Sequence, residues 1–186
     1  MNITESKTFI NYSTGILKGE NVIESVRKLG DIKDIYTDKK AINRMDQDQI
    51  AYKVQMHNTE NEGKEGGLYI GTSFLYPGRV GDEYFMTKGH YHQKRDTAEY
   101  YWCISGEGIL LLMDETENTN AVKIYPGSLN YIQGNIAHRL VNTGENILVI
   151  GACWPSDAGH DYGSIAEHGF SVSVKSINGK PEVISR

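Results

Sequence analysis

A chain of 186 residues with 39% apolar side chains can bury one sizeable core and is too apolar to remain disordered as a whole. Its net charge of −5 and pI near 5.7 exclude the broad basic surface that nucleic acid or an anionic membrane demands. No apolar run approaches the roughly 20 residues that span a bilayer, and residues 1–18 are polar with no signal-like apolar core, so a soluble cytoplasmic protein is expected.

From the N-terminus, the first patterned segment is residues 21–29, where Val22, Ile23, Val26 and Leu29 recur at helical spacing and Gly30 follows as a stop. This predicts a short helix packed on the outside of the fold, with one more helical turn at 45–49. Beyond it, short apolar runs separated by Gly, Asn, Asp or Pro set the rhythm of an all-β barrel or sandwich. Strands are predicted at 51–56, 67–75, 99–105, 108–113, 121–125, 129–132 and 147–154, with a polar loop at 58–66. Ser105-Gly106-Glu107-Gly108 reads as a tight turn, while Pro126-Gly127 and Gly134-Asn135 punctuate the next pair. Asn178-Gly179 predicts a hairpin between 170–177 and 181–185. The expected organisation is a single domain over 1–186. It has an N-terminal extension to about 48, a core barrel over about 49–156 and a C-terminal segment at 157–186. Cys103 and Cys153 have no CxxC spacing and lie in apolar runs, which suits buried thiols in a reducing compartment.

The chemistry concentrates between Thr87 and Gly106. His90 and His92 are two apart, so on a strand both rings leave the same face and can grip one ion. Residues 93–98 form a polar turn before Glu99, which shares a strand face with Tyr101 and Cys103, and His138 stands further on, four residues before Asn142. A lone His-x-His is usually a pair of surface imidazoles. Three imidazoles and one carboxylate drawn together from three segments, however, make a site with open positions on a first-row divalent ion.

These residues resemble the two cupin motifs. In the first, His-x-His is followed by Glu, six residues and Gly, matched by Glu99 and Gly106; the second ends in His, three residues and Asn, matched by His138 and Asn142. Gln133 stands where Pro is common and Asn135 where Gly is common. The resemblance implies an all-β cupin fold, a double-stranded β-helix (jelly-roll) barrel with one or two short peripheral helices. The interval between His92 and Glu99 is longer than in most cupins. Together with Tyr84-Phe85-Met86-Thr87-Lys88-Gly89-His90 and Trp154-Pro155-Ser156-Asp157-Ala158-Gly159-His160-Asp161-Tyr162, it looks like the cupin-type glucose-6-phosphate isomerases, over about 51–170.

That resemblance implies one divalent metal ion per subunit on His90, His92, Glu99 and His138. Iron(II) is the expected ion; manganese, nickel and zinc also suit the donor set. It implies a sugar-phosphate substrate and a homodimer. It also implies phosphate contacts from Tyr52, Thr72, Thr87 and Gly89, and pocket positions at Tyr101, His160 and Trp154, where relatives carry Tyr. Glu99 is the only carboxylate the motif places near C1 and C2 of a bound sugar, which makes it the candidate for moving a proton. By strand parity Thr87 and Gly89 face away from His90 unless Gly89 breaks the alternation. Thr72, Tyr52 and Tyr101 also suit ordinary core positions, His57 and His168 read as surface histidines, and Lys88, Lys94 and Arg95 read as a solvated loop face. The competing functions are a cupin metal-dependent dioxygenase and a non-catalytic sugar-phosphate-binding cupin.

Overall fold

Fifteen short strands carry the fold in a computed structural model that describes residues 2–186. In chain order they are β1 (Thr8–Ile10), β2 (Leu17–Gly19), β3 (Val22–Lys28), β4 (Ile50–His57), β5 (Leu68–Leu75), β6 (Arg79–Val80), β7 (Glu83–Tyr84), β8 (Glu99–Ser105), β9 (Gly108–Met113), β10 (Thr119–Ile124), β11 (Leu129–Ile132), β12 (Ala137–Asn142), β13 (Leu148–Pro155), β14 (Val172–Ile177) and β15 (Lys180–Ser185). The larger sheet has the order β11-β8-β13-β5-β4-β3 and the smaller one β10-β9-β12. Antiparallel bridges Met86↔Val141 and His90↔His138 add the chain between β7 and β8 to the free side of β12. The two inner faces meet in a jelly-roll barrel, the all-β cupin architecture expected.

Both motifs have local structural reasons. Gly106 takes φ +85 in the turn between β8 and β9, and a Cβ there would lie 2.7 Å from the Ile147 carbonyl oxygen. Asn142 is fully buried, and its amide donates to the Leu75 and Asn146 carbonyls at 2.8 and 2.9 Å, tying β12 to β5. Asn135 occupies its turn with φ +62, a conformation that Asn adopts more readily than other non-glycine residues, so the departure from Gly is conservative. The hairpin at Asn178 and Gly179, with φ of +51 and +77, joins β14 and β15 as the turn chemistry predicts.

Two expectations are corrected. Residues 21–29 are not a helix: Val22–Lys28 is β3, paired with β4 at the edge of the larger sheet. Positions 22 and 26 fit either period, and three β-branched residues, with β4 as partner, decide for the strand. Residues 45–49 are a turn. The helices lie instead at α1 (Leu29–Ile32), α2 (Lys39–Arg44) and α3 (Gly163–His168), with a 3₁₀ turn at Lys33–Ile35. Asp38 caps α2 by accepting from the Ala41 amide at 2.8 Å. Among the described residues no helix is long and apolar enough to cross a membrane. The thiols are free, Cys103 buried and Cys153 half-buried, and burial pushes Cys103 up to about 11, which keeps it protonated and inert.

Candidate metal centre and substrate pocket

His90 and His92 come from the chain beside β12, Glu99 opens β8 and His138 lies on β12, so three segments converge on one point inside the barrel. One ligand atom from each of the four residues lies within 4.8 Å of every other. Glu99 and His138 are almost fully buried, and Glu99 Oε1 sits 2.6 Å from His138 Nε2 and 3.6 Å from His92 Nε2. Yet neither Oε1 nor the His138 Nε2 has a hydrogen-bond partner of acceptable geometry. Two buried lone-pair atoms brought this close without a shared proton in line are aimed at a common third body.

The surrounding hydrogen bonds point the imidazoles. Thr97 Oγ1 donates to the Lys94 carbonyl at 2.6 Å, so its contact with His92 Nδ1 at 3.0 Å must be an accepted bond. His92 Nδ1 therefore carries the hydrogen, also reaching the Thr97 carbonyl at 2.9 Å, and Nε2 is left with a lone pair facing the cluster. His138 Nδ1 likewise donates to the Ile136 carbonyl at 3.2 Å. Burial, then the neighbouring imidazoles, hold His90 well below the ordinary histidine range. The donor set of three nitrogens and one carboxylate fits a divalent ion.

Glu99 sets the proton balance. Burial alone would raise its carboxyl, but the His138 and His92 imidazoles outweigh it and bring it down to about 2. His92 moves the other way: burial lowers it, and the nearby Glu99 carboxylate more than reverses this. A metal ion must displace the proton that His92 holds with Glu99's help. Affinity is therefore expected to rise with pH through the neutral range and to level off once His92 is deprotonated; chelator competition at a series of pH values measures it.

Three of the four, His90, Glu99 and His138, line a cavity of about 230 Å³ whose wall also includes Tyr52, Ser73, Thr87, Gly89, Tyr101 and Trp154. Gly89 at φ +73 breaks the strand alternation, so Thr87 and His90 line the same space despite their parity. Thr87 Oγ1 accepts from the Leu140 amide at 3.0 Å, which leaves its hydroxyl hydrogen to donate. Arg139, fully buried, donates to the Lys88 carbonyl at 2.6 Å and props the 87–90 loop from behind. Tyr52 is buried in the wall, and burial, opposed by the Lys88 backbone, pushes its hydroxyl up to about 12. Tyr101 lies edge-on to His138 with ring centroids 5.6 Å apart, and burial followed by the charge of Glu99 holds its phenol well above the usual range. Trp154 packs edge-on to Tyr69 at 5.9 Å. His160 stands at the mouth, 4.5 Å from His90 and stacked on Tyr162 at 5.6 Å.

Thr72 borders the cavity as expected, but by register its side chain belongs to the other face of the sheet. Its register line runs through Gly151 to Trp102 on the outer face, whereas Glu99 and Tyr101 point inward. A Cβ on Gly15 of the N-terminal arm would come 2.8 Å from the Thr72 methyl. The inward hydroxyl is Ser73, opposite Val54 on β4, and it was missed because a one-residue shift in register swaps the faces. Tyr162 and the inner face of β3 (Ile23, Ser25 and Arg27) were also missed, the latter because the segment was read as a helix. Lys94 and Arg95 are committed to Asp157 and Asp161 at 2.8 and 2.7 Å. His57 is half-buried on β4 and His168 is exposed.

A family model described as "Glucose-6-phosphate isomerase (GPI)" matches residues 26–183. The curated glucose-6-phosphate isomerase of Thermococcus litoralis is 44% identical over 173 residues, covering 92% of this chain and 89% of that one. That of Pyrococcus abyssi is 42% identical over 177 residues, covering 94% and 92%. With this coverage and a cupin barrel around the four-residue cluster, the chain belongs to the glucose-6-phosphate isomerase family in its cupin form.

Proposed function

We propose that this protein interconverts glucose 6-phosphate and fructose 6-phosphate, within sugar-phosphate metabolism of the cytoplasm, with one divalent metal ion per chain on His90, His92, Glu99 and His138. The observation that carries the reading is one cavity lined by three members of a four-ligand cluster, His90, Glu99 and His138, and by a separate group of hydroxyls and backbone donors. Iron(II) is the expected ion. When bound, it supplies Lewis-acid polarisation of a sugar carbonyl oxygen.

The chain's own groups divide the remaining work. The Thr87 hydroxyl, aimed by the Leu140 amide, donates to the substrate phosphate together with Ser73 and Tyr52. The Gly89 N–H, which no backbone acceptor among the described residues takes, completes the cradle. Tyr101 stays a phenol at neutral pH and can donate to the oxygens on C1 and C2. His160, at the mouth, orients the sugar, and Trp154 supplies a wall and an indole N–H where relatives have a hydroxyl. Exposed Leu129 and Tyr131 on edge strand β11, with Tyr100 beside Tyr131 at 5.1 Å, offer an apolar face for a homodimer.

The direct test is a coupled assay of metal-stripped protein restored with each divalent ion in turn. Isomerase activity is expected to vanish on stripping and return with iron(II) at one ion per chain. Oxygen uptake in place of isomerisation would point to a dioxygenase, and sugar-phosphate binding without turnover to a binding module.

A further inference from the structure

We infer that Arg27, on edge strand β3, is the positive charge that receives the phosphate of the substrate and makes the pocket selective for phosphorylated sugars; this rests on the function proposed above. The neutral donors of the cradle can satisfy phosphate oxygens but cannot balance a dianion. The ion cluster lies at the other end of the sugar, where C1 and C2 react. A counter-charge on the phosphate side is therefore needed, in a protein whose net charge is −5.

Register places Arg27 there. In the β3–β4 pairing Arg27 lies opposite Tyr52, Ser25 opposite Val54 and Ile23 opposite Met56, and all six line the cavity. At the alternate positions, Glu24 also borders the cavity, but its carboxylate is engaged by Lys53 at 3.5 Å and by the Gln55 amide at 3.1 Å. Among the described residues no carboxylate lies within ion-pair distance of the Arg27 guanidinium, and its only hydrogen bond goes to the adjacent Val26 carbonyl at 3.1 Å. Burial raises the hydroxyls of Tyr52 and Tyr162, and the Arg27 charge offsets part of that rise at both, as its place beside them in the cavity wall requires.

The other nearby cations are engaged. Lys88 Nζ sits over the Tyr162 ring at 4.9 Å, and Arg139 is buried behind the loop, its guanidinium over Phe170 at 4.2 Å. Arg27 alone combines an unpaired guanidinium, a place in the wall and freedom to approach. Because β3 is bonded to the sheet on one side only, the side chain can adjust to the phosphate without disturbing the barrel.

The test uses the metal-loaded protein and inorganic phosphate as a competitive inhibitor of the isomerase reaction. Arg27→Met keeps the apolar stem and is expected to raise the phosphate inhibition constant and the KM for glucose 6-phosphate by about 10- to 100-fold, with kcat changed only a few-fold. Arg27→Lys should recover part of the loss. Lys53→Met removes the same charge from the outer face and should change neither constant, which separates a local contact from a change in net charge. Metal content and melting temperature should match wild type, and Arg27→Gln serves the same comparison if the Met variant does not fold. Phosphate inhibition within twofold of wild type in Arg27→Met overturns the inference. A wild-type protein that neither turns over sugar phosphate nor is blocked by phosphate overturns the proposed function itself.

Discussion

Glu99→Gln is expected to lower kcat by about 10³-fold, since a metal's charge stabilisation is worth several kcal/mol and each 1.36 kcal/mol is tenfold in rate. The substitution keeps the side chain's shape and removes its charge. Glu99 is buried and its Oε1 points at the imidazoles of His138 and His92, so the neutral amide becomes a weak fourth ligand in the same position. Phosphate inhibition should persist, because none of the cradle residues depends on Glu99. Without metal the variant should melt close to wild type, since taking a charge out of a buried site removes a desolvation cost along with the pairing it loses. A carboxyl brought down to about 2 is also a weak base. In deuterated water most of the transferred hydrogen is therefore expected to stay within the sugar. Full activity in Glu99→Gln at one metal per chain would remove the residue from the mechanism. A full solvent deuterium at C1 or C2 of the product would instead make Glu99 a base that leaves the cluster.

The ligand set was readable in the sequence because each element of it is local. His90 and His92 share a face by spacing alone, Gly106 marks the end of β8, and Asn142 reports the turn that ties β12 to β5. The pocket wall was less readable, and the reason is register. Whether residue 72 or 73 points inward is set by pairing with β4 and β13, which lie far from β5 in sequence. The same ambiguity hid β3. Val22 and Val26 are four apart, which suits a helix and also one face of a strand, and only the partner strand settles it. Calling the segment a helix moved Arg27 from the pocket to the periphery, so a secondary-structure error became a missing functional residue. Gly89 worked in the opposite direction. Parity argued against Thr87, and a single left-handed residue between Thr87 and His90 restored it.

That residue carries the second large effect. Gly89→Ala is expected to destabilise the protein by about 2–5 kcal/mol, combining left-handed backbone strain with overpacking. For a domain of this length that is roughly 5–15 °C in melting temperature. A Cβ on Gly89 would lie 2.7 Å from the Phe170 ring and 3.1 Å from Arg139 Cβ and Nε. Neither neighbour can easily yield. Phe170 is fully buried, and Arg139 is held by the Lys88 carbonyl and by its contact with that same ring. Relief must then come from the loop itself, which carries the Thr87 hydroxyl on one side and the metal ligand His90 on the other. The variant should thus lose phosphate affinity and metal together, a pattern that Arg27→Met and Glu99→Gln each show only in half. Gly66→Ala is the control: φ there is +77 but no atom lies within 4 Å of the added Cβ, so it carries the backbone strain without the clash. If Gly89→Ala melts with that control and keeps wild-type KM, the loop is soft, and the phosphate cradle cannot depend on the fixed geometry between Thr87 and His90.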